Sequence, residues 1–214
     1  LHDPGKIIRI DPAGPGPKAI AGAGNIIQNG GIVVFPAQCL YGIAADALNE
    51  MAVEKIFNIK KRPQNNPILV LVPDQSFLQD LAESIPEPAK KLMKAFWPGG
   101  LTLVCRAKPT VPKRLTAGSG KLGIRIPAHP AAKALVDFLG FPITGTSANL
   151  SGKPGCDRIS LLDPSIFEAS DLILDAGILR GGIGSTIVDV TVFPIRIIRE
   201  GMISQNQIRR ILVD

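Results

Sequence analysis

Five groups of side chains in this sequence have the chemistry to meet a negatively charged ligand: Lys60 with Arg62, Arg125, Ser147 with Asn149, Ser185 with Thr186, and Arg199. Cations and hydroxyls neutralise and orient anions. Lys60 and Arg62 precede or flank Pro63, which pushes Arg62 toward extended backbone, where residues two apart share a face. The pair then either projects together as an anion site or sits as ordinary cations at a helix C-terminus, where the macrodipole favours them. Arg125 lies between the apolar Ile124 and Ile126, so it faces the opposite side of its strand, toward solvent or a polar cavity. Ser147 and Asn149 follow a strand and suit either a turn or an anion contact.

Other chemistries have little material. The chain contains only His2 and His129, which leaves few ligands for zinc and little for a histidine-based triad. Cys39, Cys105 and Cys156 are odd in number and widely spaced, so neither a disulfide framework nor a zinc site is indicated. No run of carboxylates suggests a dedicated metal site. Two Gly-Lys pairs imitate a phosphate loop, but Gly120-Lys121 has Leu115 and Leu122 at the required Gly and Ser/Thr positions, and Gly152-Lys153 has Ser147 and Pro154. No Gly-x-Gly-x-x-Gly opens a helix after a strand, which excludes a Rossmann dinucleotide site.

The elements that must position these groups read as follows. A short strand over Ile7 to Ile10 leads through a Pro/Gly turn to a helix from Pro17, with Ile20, Ala23, Ile26 and Ile27 facing the core and Gly30 beyond its end. Ile32 to Phe35 is a buried strand, Pro36 to Gly42 a turn, and a helix capped by Asn49 carries Val53, Ile56, Phe57 and Ile59 and stops near Lys60. A strand over Ile68 to Val72 follows, then helices from Asp74 and over Glu87 to Phe96. Strands are expected over Leu101 to Ala107 and Leu122 to Ile126, separated by a basic loop from about residue 108 to 121. Pro130 opens a helix that Gly140 closes, and Phe141 to Thr146 is a strand. A short helix lies within 160 to 171, with strands at Leu172 to Leu174, Thr186 to Val190 and Ile195 to Ile198. Ser204 and Gln207 form a capping-box pattern for a last helix.

The 214 residues suit one sizeable core. Hydrophobic content of 45% with only 5% aromatics favours Ile, Leu, Val and Ala strands covered by helices, hence a soluble α/β class. A net charge of +6 leans toward anionic partners, but no dense basic run with interleaved aromatics singles out nucleic acid. No apolar run has membrane-spanning length and LHDPGKIIRI lacks a signal-peptide core, so a cytoplasmic protein is expected.

Seven blocks, GGIVVFPAQCLYGIAADA, FNIKKRPQNNPILVLV, FWPGGLTLV, LGIRIPAHPAAKAL, TSANLSGKPG, STIVDVT and IIREGMIS, occur in the order and spacing of the YrdC-type threonylcarbamoyl-AMP synthases. The resemblance covers about residues 18 to 205. It implies an open, twisted, mixed α/β sheet with helices around a deep, positively charged cavity, here as one YrdC-like domain over residues 1 to 214, without the additional C-terminal domain of longer members. It also implies a reaction in which L-threonine, bicarbonate and ATP give threonylcarbamoyl-AMP and pyrophosphate, on the way to threonylcarbamoyladenosine in tRNA.

By this resemblance Lys60 and Arg62 are the catalytic cations. Lys60, Arg62, Asn66, Ser147, Asn149 and Arg199 hold ATP, and Arg125, Ser185 and Tyr41 hold the amino acid, with Arg125 a fork for its carboxylate. Magnesium accompanies the triphosphate as part of the substrate, with no tightly bound cofactor. Partners are a downstream tRNA-modifying transferase and double-stranded RNA or tRNA. The sequence departs from the family pattern at Ala37 and Cys39, where hydroxyls stand in Pro-Thr-x-Thr, and at Leu71, where a histidine is frequent. These departures fall on the amino-acid side. They keep two other readings open: a family member acting on a different amine, and a non-enzymatic module for double-stranded RNA.

Overall fold

The computed structural model describes residues 4–213, so His2 lies outside the described residues. Its strands are β1 (Ile7–Arg9), β2 (Val33–Pro36), β3 (Tyr41–Ala44), β4 (Val70–Leu71), β5 (Leu101–Arg106), β6 (Lys121–Arg125), β7 (Ile143–Thr144), β8 (Thr146–Ser147), β9 (Leu172–Asp175), β10 (Thr186–Asp189) and β11 (Arg196–Arg199). The helices are α1 (Pro17–Gln28), α2 (Glu50–Lys60), α3 (Leu78–Leu81), α4 (Glu87–Phe96), α5 (Lys113–Thr116), α6 (Pro130–Leu139), α7 (Pro164–Ala169) and α8 (Gln205–Val213).

The long helices begin and end where local chemistry dictates. The Asn49 side chain accepts hydrogen bonds from the backbone N–H groups of Met51 and Ala52, a cap contributing about 1 kcal/mol. Pro17 and Pro130 stand in the first turns of α1 and α6, and Gly140 closes α6 with a left-handed φ of 64°. Ser204 and Gln207 satisfy each other's backbone N–H groups, as the capping-box pattern predicts. The α1 helix lies so close to α6 that a Cβ at Gly24 would stand 2.4 Å from the Phe138 ring.

The mixed α/β architecture with helices is as expected, with the strands divided between two mixed sheets. One has the order β1-β9-β2-β3-β8, the other β11-β10-β5-β6-β4-β7. The division arises at Gly145. The segment read as one strand over Phe141 to Thr146 is two, β7 pairing antiparallel with β4 in the second sheet and β8 pairing antiparallel with β3 in the first. A Cβ at Gly145 would come within 2.5 Å of Leu69 and 2.8 Å of Leu71, so a residue without a side chain lets the backbone cross between sheets there. Another difference is β3, which lies partly within the expected turn and forms a hairpin with β2.

Candidate active site

A cavity of about 680 Å³ opens where the two sheets meet, within the range that small-molecule sites occupy. Its floor is one face of the six-stranded sheet. Arg199 pairs with Ile187, Ile187 with Thr102, and Leu71 with Arg125. Thr102 stands one step beyond the Leu103–Ile124 pair, beside Arg125. Laterally aligned residues point to the same side, so Arg199, Ile187, Thr102, Arg125 and Leu71 form one row, and all five line the cavity. A second row two residues along holds Arg196, Asp189, Val104 and Gly123. A bulge between β10 and β11 lets Arg196 and Arg199, three residues apart, both stand opposite cavity-facing positions.

Arg125 is the most constrained group. It is 7% exposed, and its Nε and Nη2 have no hydrogen-bond partner in the protein. Burial pulls its pKa down to about 10; Cys39 opposes that shift and the charge of Arg199 adds to it. A largely buried guanidinium with unpartnered nitrogens in the lining of a cavity suits a planar anion. The sequence left Arg125 between solvent and a cavity, and the geometry selects the cavity. Beside it, the hydroxyls of Thr102 and Ser185 lie 2.8 Å apart. Arg199 donates from Nη2 to the Ser185 carbonyl at 2.7 Å, and burial lowers its pKa.

The opposite wall comes from the end of α2 and the chain after β8. Arg62 lines the cavity, held by its Nε to the Asn66 carbonyl at 3.0 Å, and by Nη2 to Asn66 Oδ1 at 3.0 Å and the Pro67 carbonyl at 2.7 Å. Lys60 does not accompany it. Lys60 is still in the last turn of α2, and Lys61 closes that helix in the left-handed region at φ 48°, so the two-residue spacing of an extended chain does not apply. The Lys60 ammonium is 1% exposed and donates to the Ser147 carbonyl, the Asn149 carbonyl at 2.6 Å and Asn149 Oδ1 at 3.2 Å. Burial and the nearby charge of Arg62 pull its pKa down to about 7. Lys60 therefore stands behind the wall and holds the turn that presents Ser147 and Asn149. Ser147 donates to Asn149 Oδ1, so this pair both forms a turn and lines the cavity.

Tyr41 also borders the cavity, but its hydroxyl is turned away: it donates to the Gly177 carbonyl at 2.8 Å and accepts from the Ala176 N–H at 2.9 Å, with Asp175 Oδ1 at 3.1 Å. Burial raises its pKa well above the usual phenol value. It pins the 175–177 segment to β3. Ser185 and Asn66 line the same cavity, and so do Ala37, Cys39 and Leu71.

Sequence reading missed several residues of the wall. Lys121 donates to Asp189 at 2.9 Å, and Asp189, 1% exposed, also accepts from the Thr191 hydroxyl at 2.6 Å and approaches Arg196 at 3.7 Å. Thr102 had a signal, a hydroxyl within the apolar run LTLVC; Lys121 and Arg196 had none, because charges at strand ends are commonplace. Among the residues lining the cavity, Arg62, Lys121, Arg125, Lys153, Arg196 and Arg199 are cationic and Asp189 alone is acidic. Among the described residues, no group of three or more His, Cys, Asp or Glu side chains is gathered for a metal ion, and no helix is long and apolar enough to cross a membrane. All three cysteines are free and buried.

Residues 25–201 match a family model described as "Telomere recombination", that of Sua5, YciO and YrdC. A protein of Pyrococcus abyssi named threonylcarbamoyl-AMP synthase is 37% identical over 190 residues, 89% of this chain and 56% of that protein. One of the same name from Bacillus subtilis is 39% identical over 194 residues, 90% and 56%. The chain thus spans a little over half the length of these relatives. The crystal structure of P. abyssi Sua5 complexed with L-threonine superposes with a TM-score of 0.92 at 35% identity, over 96% of this chain and 60% of that one. The crystal structure of E. coli YciO gives 0.80 at 28% identity, over 92% and 96%. With a matching family model over most of its length and a fold that superposes closely on these structures, the chain belongs to the Sua5/YciO/YrdC family.

Proposed function

We propose that this chain is an L-threonylcarbamoyladenylate synthase. The threonine amine and bicarbonate give a carbamate and water; a carbamate oxygen attacks the α-phosphorus of ATP, the bond to the β-phosphate breaks, and pyrophosphate leaves. The single observation that carries this reading is Arg125, buried with two unpartnered nitrogens in the lining of a cavity that Arg62, Ser147, Asn149 and Arg199 also line. Arg125 takes the amino-acid carboxylate, with Thr102 and Ser185 beside it. Arg62, Asn66, Ser147, Asn149 and Arg199 take the nucleotide, and Lys60 acts through the turn it braces. The protein's part is to bring anionic groups together and neutralise them.

Magnesium, arriving with the triphosphate, would take its ligands from phosphates and water, since the Asp189 carboxylate is already committed to Lys121 and Thr191. In this reading residues 1 to 214 act as one YrdC-like domain in the cytosol, and the adenylate passes to a tRNA-modifying transferase.

A family member acting on another amine is the second reading, supported by the presence of Ala37, Cys39 and Leu71 in the lining of the same cavity as Arg125. Incubation with ATP, labelled bicarbonate and each amino acid in turn, with pyrophosphate as readout, separates the two. Release that depends on threonine supports the first reading, and release with a different amino acid only supports the second. No release with any of them removes both.

A further inference from the structure

The sequence pairs Ser185 with Thr186 as hydroxyls that could meet an anion, and the structure divides them. Ser185 and Ile187 line the cavity, so by strand alternation Thr186 points to the other side of the sheet, where it is fully buried. Its hydroxyl accepts hydrogen bonds from the backbone N–H groups of Gly201 at 2.9 Å and Ile203 at 3.0 Å, and donates to the Ile203 carbonyl at 2.5 Å. A hydroxyl has one proton and two acceptor lone pairs. Thr186 is therefore saturated, and by a single short stretch of chain.

That stretch, residues 200 to 203, joins β11 to α8 and crosses the start of β10 backbone against backbone. The Met202 N–H donates to the Gly184 carbonyl at 3.0 Å, and a Cβ at Gly201 would run into that carbonyl oxygen and stand 2.6 Å from the one of Ser185. Arg199, two residues before Gly201, folds back over the same crossing: Nη2 donates to the Ser185 carbonyl at 2.7 Å and would stand 3.2 Å from a Cβ at Gly184. Strand pairing holds this end of β11 only lightly. β11 is the last strand in the order of its sheet, and the bulge separates the Arg199–Ile187 pair from the rest of its ladder. The place of Arg199 in the cavity lining is thus set largely by what holds the chain just after it.

We propose that Thr186 is a positioning residue for the nucleotide side of the site, its hydroxyl clamping residues 201 to 203 and so setting Arg199 in the cavity lining. This rests on the synthase reading above, in which Arg199 takes the nucleotide, and deepens it. Without the hydroxyl, two N–H groups and a carbonyl lose their partner at a buried crossing, and the chain must shift to satisfy them. A shift of about 1 Å in a binding cation is enough to cost a large factor in its interaction with an anion. Valine keeps the shape of Thr186 and removes the hydroxyl, while serine keeps the hydroxyl.

Calorimetric titration with ATP of wild type, Thr186→Val, Thr186→Ser, Arg199→Met and the double variant Thr186→Val with Arg199→Met tests this. The expected result is a loss of about tenfold or more in ATP affinity for Thr186→Val, a change within about twofold for Thr186→Ser, and no further loss when Thr186→Val is added to Arg199→Met. That last comparison separates positioning from general support of the fold. A Thr186→Val loss that recurs in full on the Arg199→Met background would overturn the proposal, as would an equal loss in Thr186→Ser or unchanged affinity in Thr186→Val. Should circular dichroism show that Thr186→Val does not fold, Thr186→Cys, with a weaker hydrogen-bonding group of similar size, is judged by the same criteria. Wild type that fails to bind ATP, or Arg199→Met that binds it as wild type does, would remove the assignment of Arg199 to the nucleotide, and this proposal with it.

Discussion

Replacing Arg125 by methionine separates the cost of the site from its use. The guanidinium is 7% exposed with two unpartnered nitrogens, and burial pulls its pKa well below the usual guanidinium value, down to about 10. At about 1.36 kcal/mol per pH unit, the charge costs the empty fold about 3 kcal/mol. Methionine fills a similar volume beside Leu71 and Thr102 without that cost, so the empty protein should become more stable. For a chain of this size about 1 kcal/mol corresponds to roughly 2 to 4 °C in Tm, and a partial recovery amounts to about 5 °C. The sign with pH follows from the folded pKa lying below the unfolded one. The unfolded chain binds more protons between the two values, so the cost is constant at every pH below about 10 and is relieved above it. The gain in Tm should therefore be equal at about pH 6 and about pH 9. Binding moves the other way: losing the partner of a desolvated carboxylate costs about 2 to 5 kcal/mol, a fall of roughly 30-fold or more in threonine affinity with ATP affinity retained. Thermal unfolding with and without threonine, and calorimetry for each ligand, read all of this. A less stable variant that binds threonine as wild type does would show that Arg125 is a structural cation and that the carboxylate sits elsewhere.

Other perturbations have equally definite outcomes. Lys60→Met leaves the Ser147 and Asn149 carbonyls and Asn149 Oδ1 without a shared donor; urea denaturation should show a loss of about 3 kcal/mol and calorimetry a weaker ATP, whereas full stability with abolished turnover would return Lys60 to a direct catalytic role. Gly145→Ala places a Cβ 2.5 Å from Leu69 and 2.8 Å from Leu71, the neighbour of Arg125; overpacking of about 1 to 3 kcal/mol should appear in Tm together with a raised KM for the amino acid, and a neutral result would remove the importance given to the crossing. His129 caps α6 by accepting from the Ala131 N–H at 3.2 Å, and burial lowers its pKa. Its contribution, about 1 kcal/mol, is complete above the unfolded value of about 6.5 and is lost as pH falls through the lower folded value. His129→Ala should accordingly be more damaging at about pH 8 than at about pH 5 when unfolding is followed by circular dichroism.

The parts of this fold that could be read from the sequence are those whose causes are local. Asn49, Pro130 with Gly140, and Ser204 with Gln207 mark helix ends because capping joins residues two to four apart. Strand β3 escaped because Tyr41–Ala44 follows Pro36 closely and contains Gly42, which local chemistry reads as a turn; pairing with β2 and β8 makes it a strand. The break at Gly145 escaped for the same reason, since only Leu69 and Leu71 across the sheet show why no side chain is tolerated there.

The site divides similarly. Residues of suitable chemistry could be nominated one by one, and Arg125 could be placed on the face opposite Ile124 and Ile126. The row that unites Arg199, Thr102, Arg125 and Leu71 depends on strand register, which no single segment encodes. Lys60 was misplaced because the left-handed Lys61 keeps it within the helix, and the carbonyls that hold it lie 87 and 89 residues away.

The central claim is that cationic and hydroxyl side chains distant in sequence converge on one cavity that holds an amino acid and a nucleotide together. A crystal structure of the protein soaked with ATP and L-threonine tests it most directly. The account predicts the threonine carboxylate at the Arg125 guanidinium and the phosphates among Arg62, Ser147 and Arg199. Threonine or nucleotide bound outside this cavity, with Arg125 still unpartnered, would contradict it.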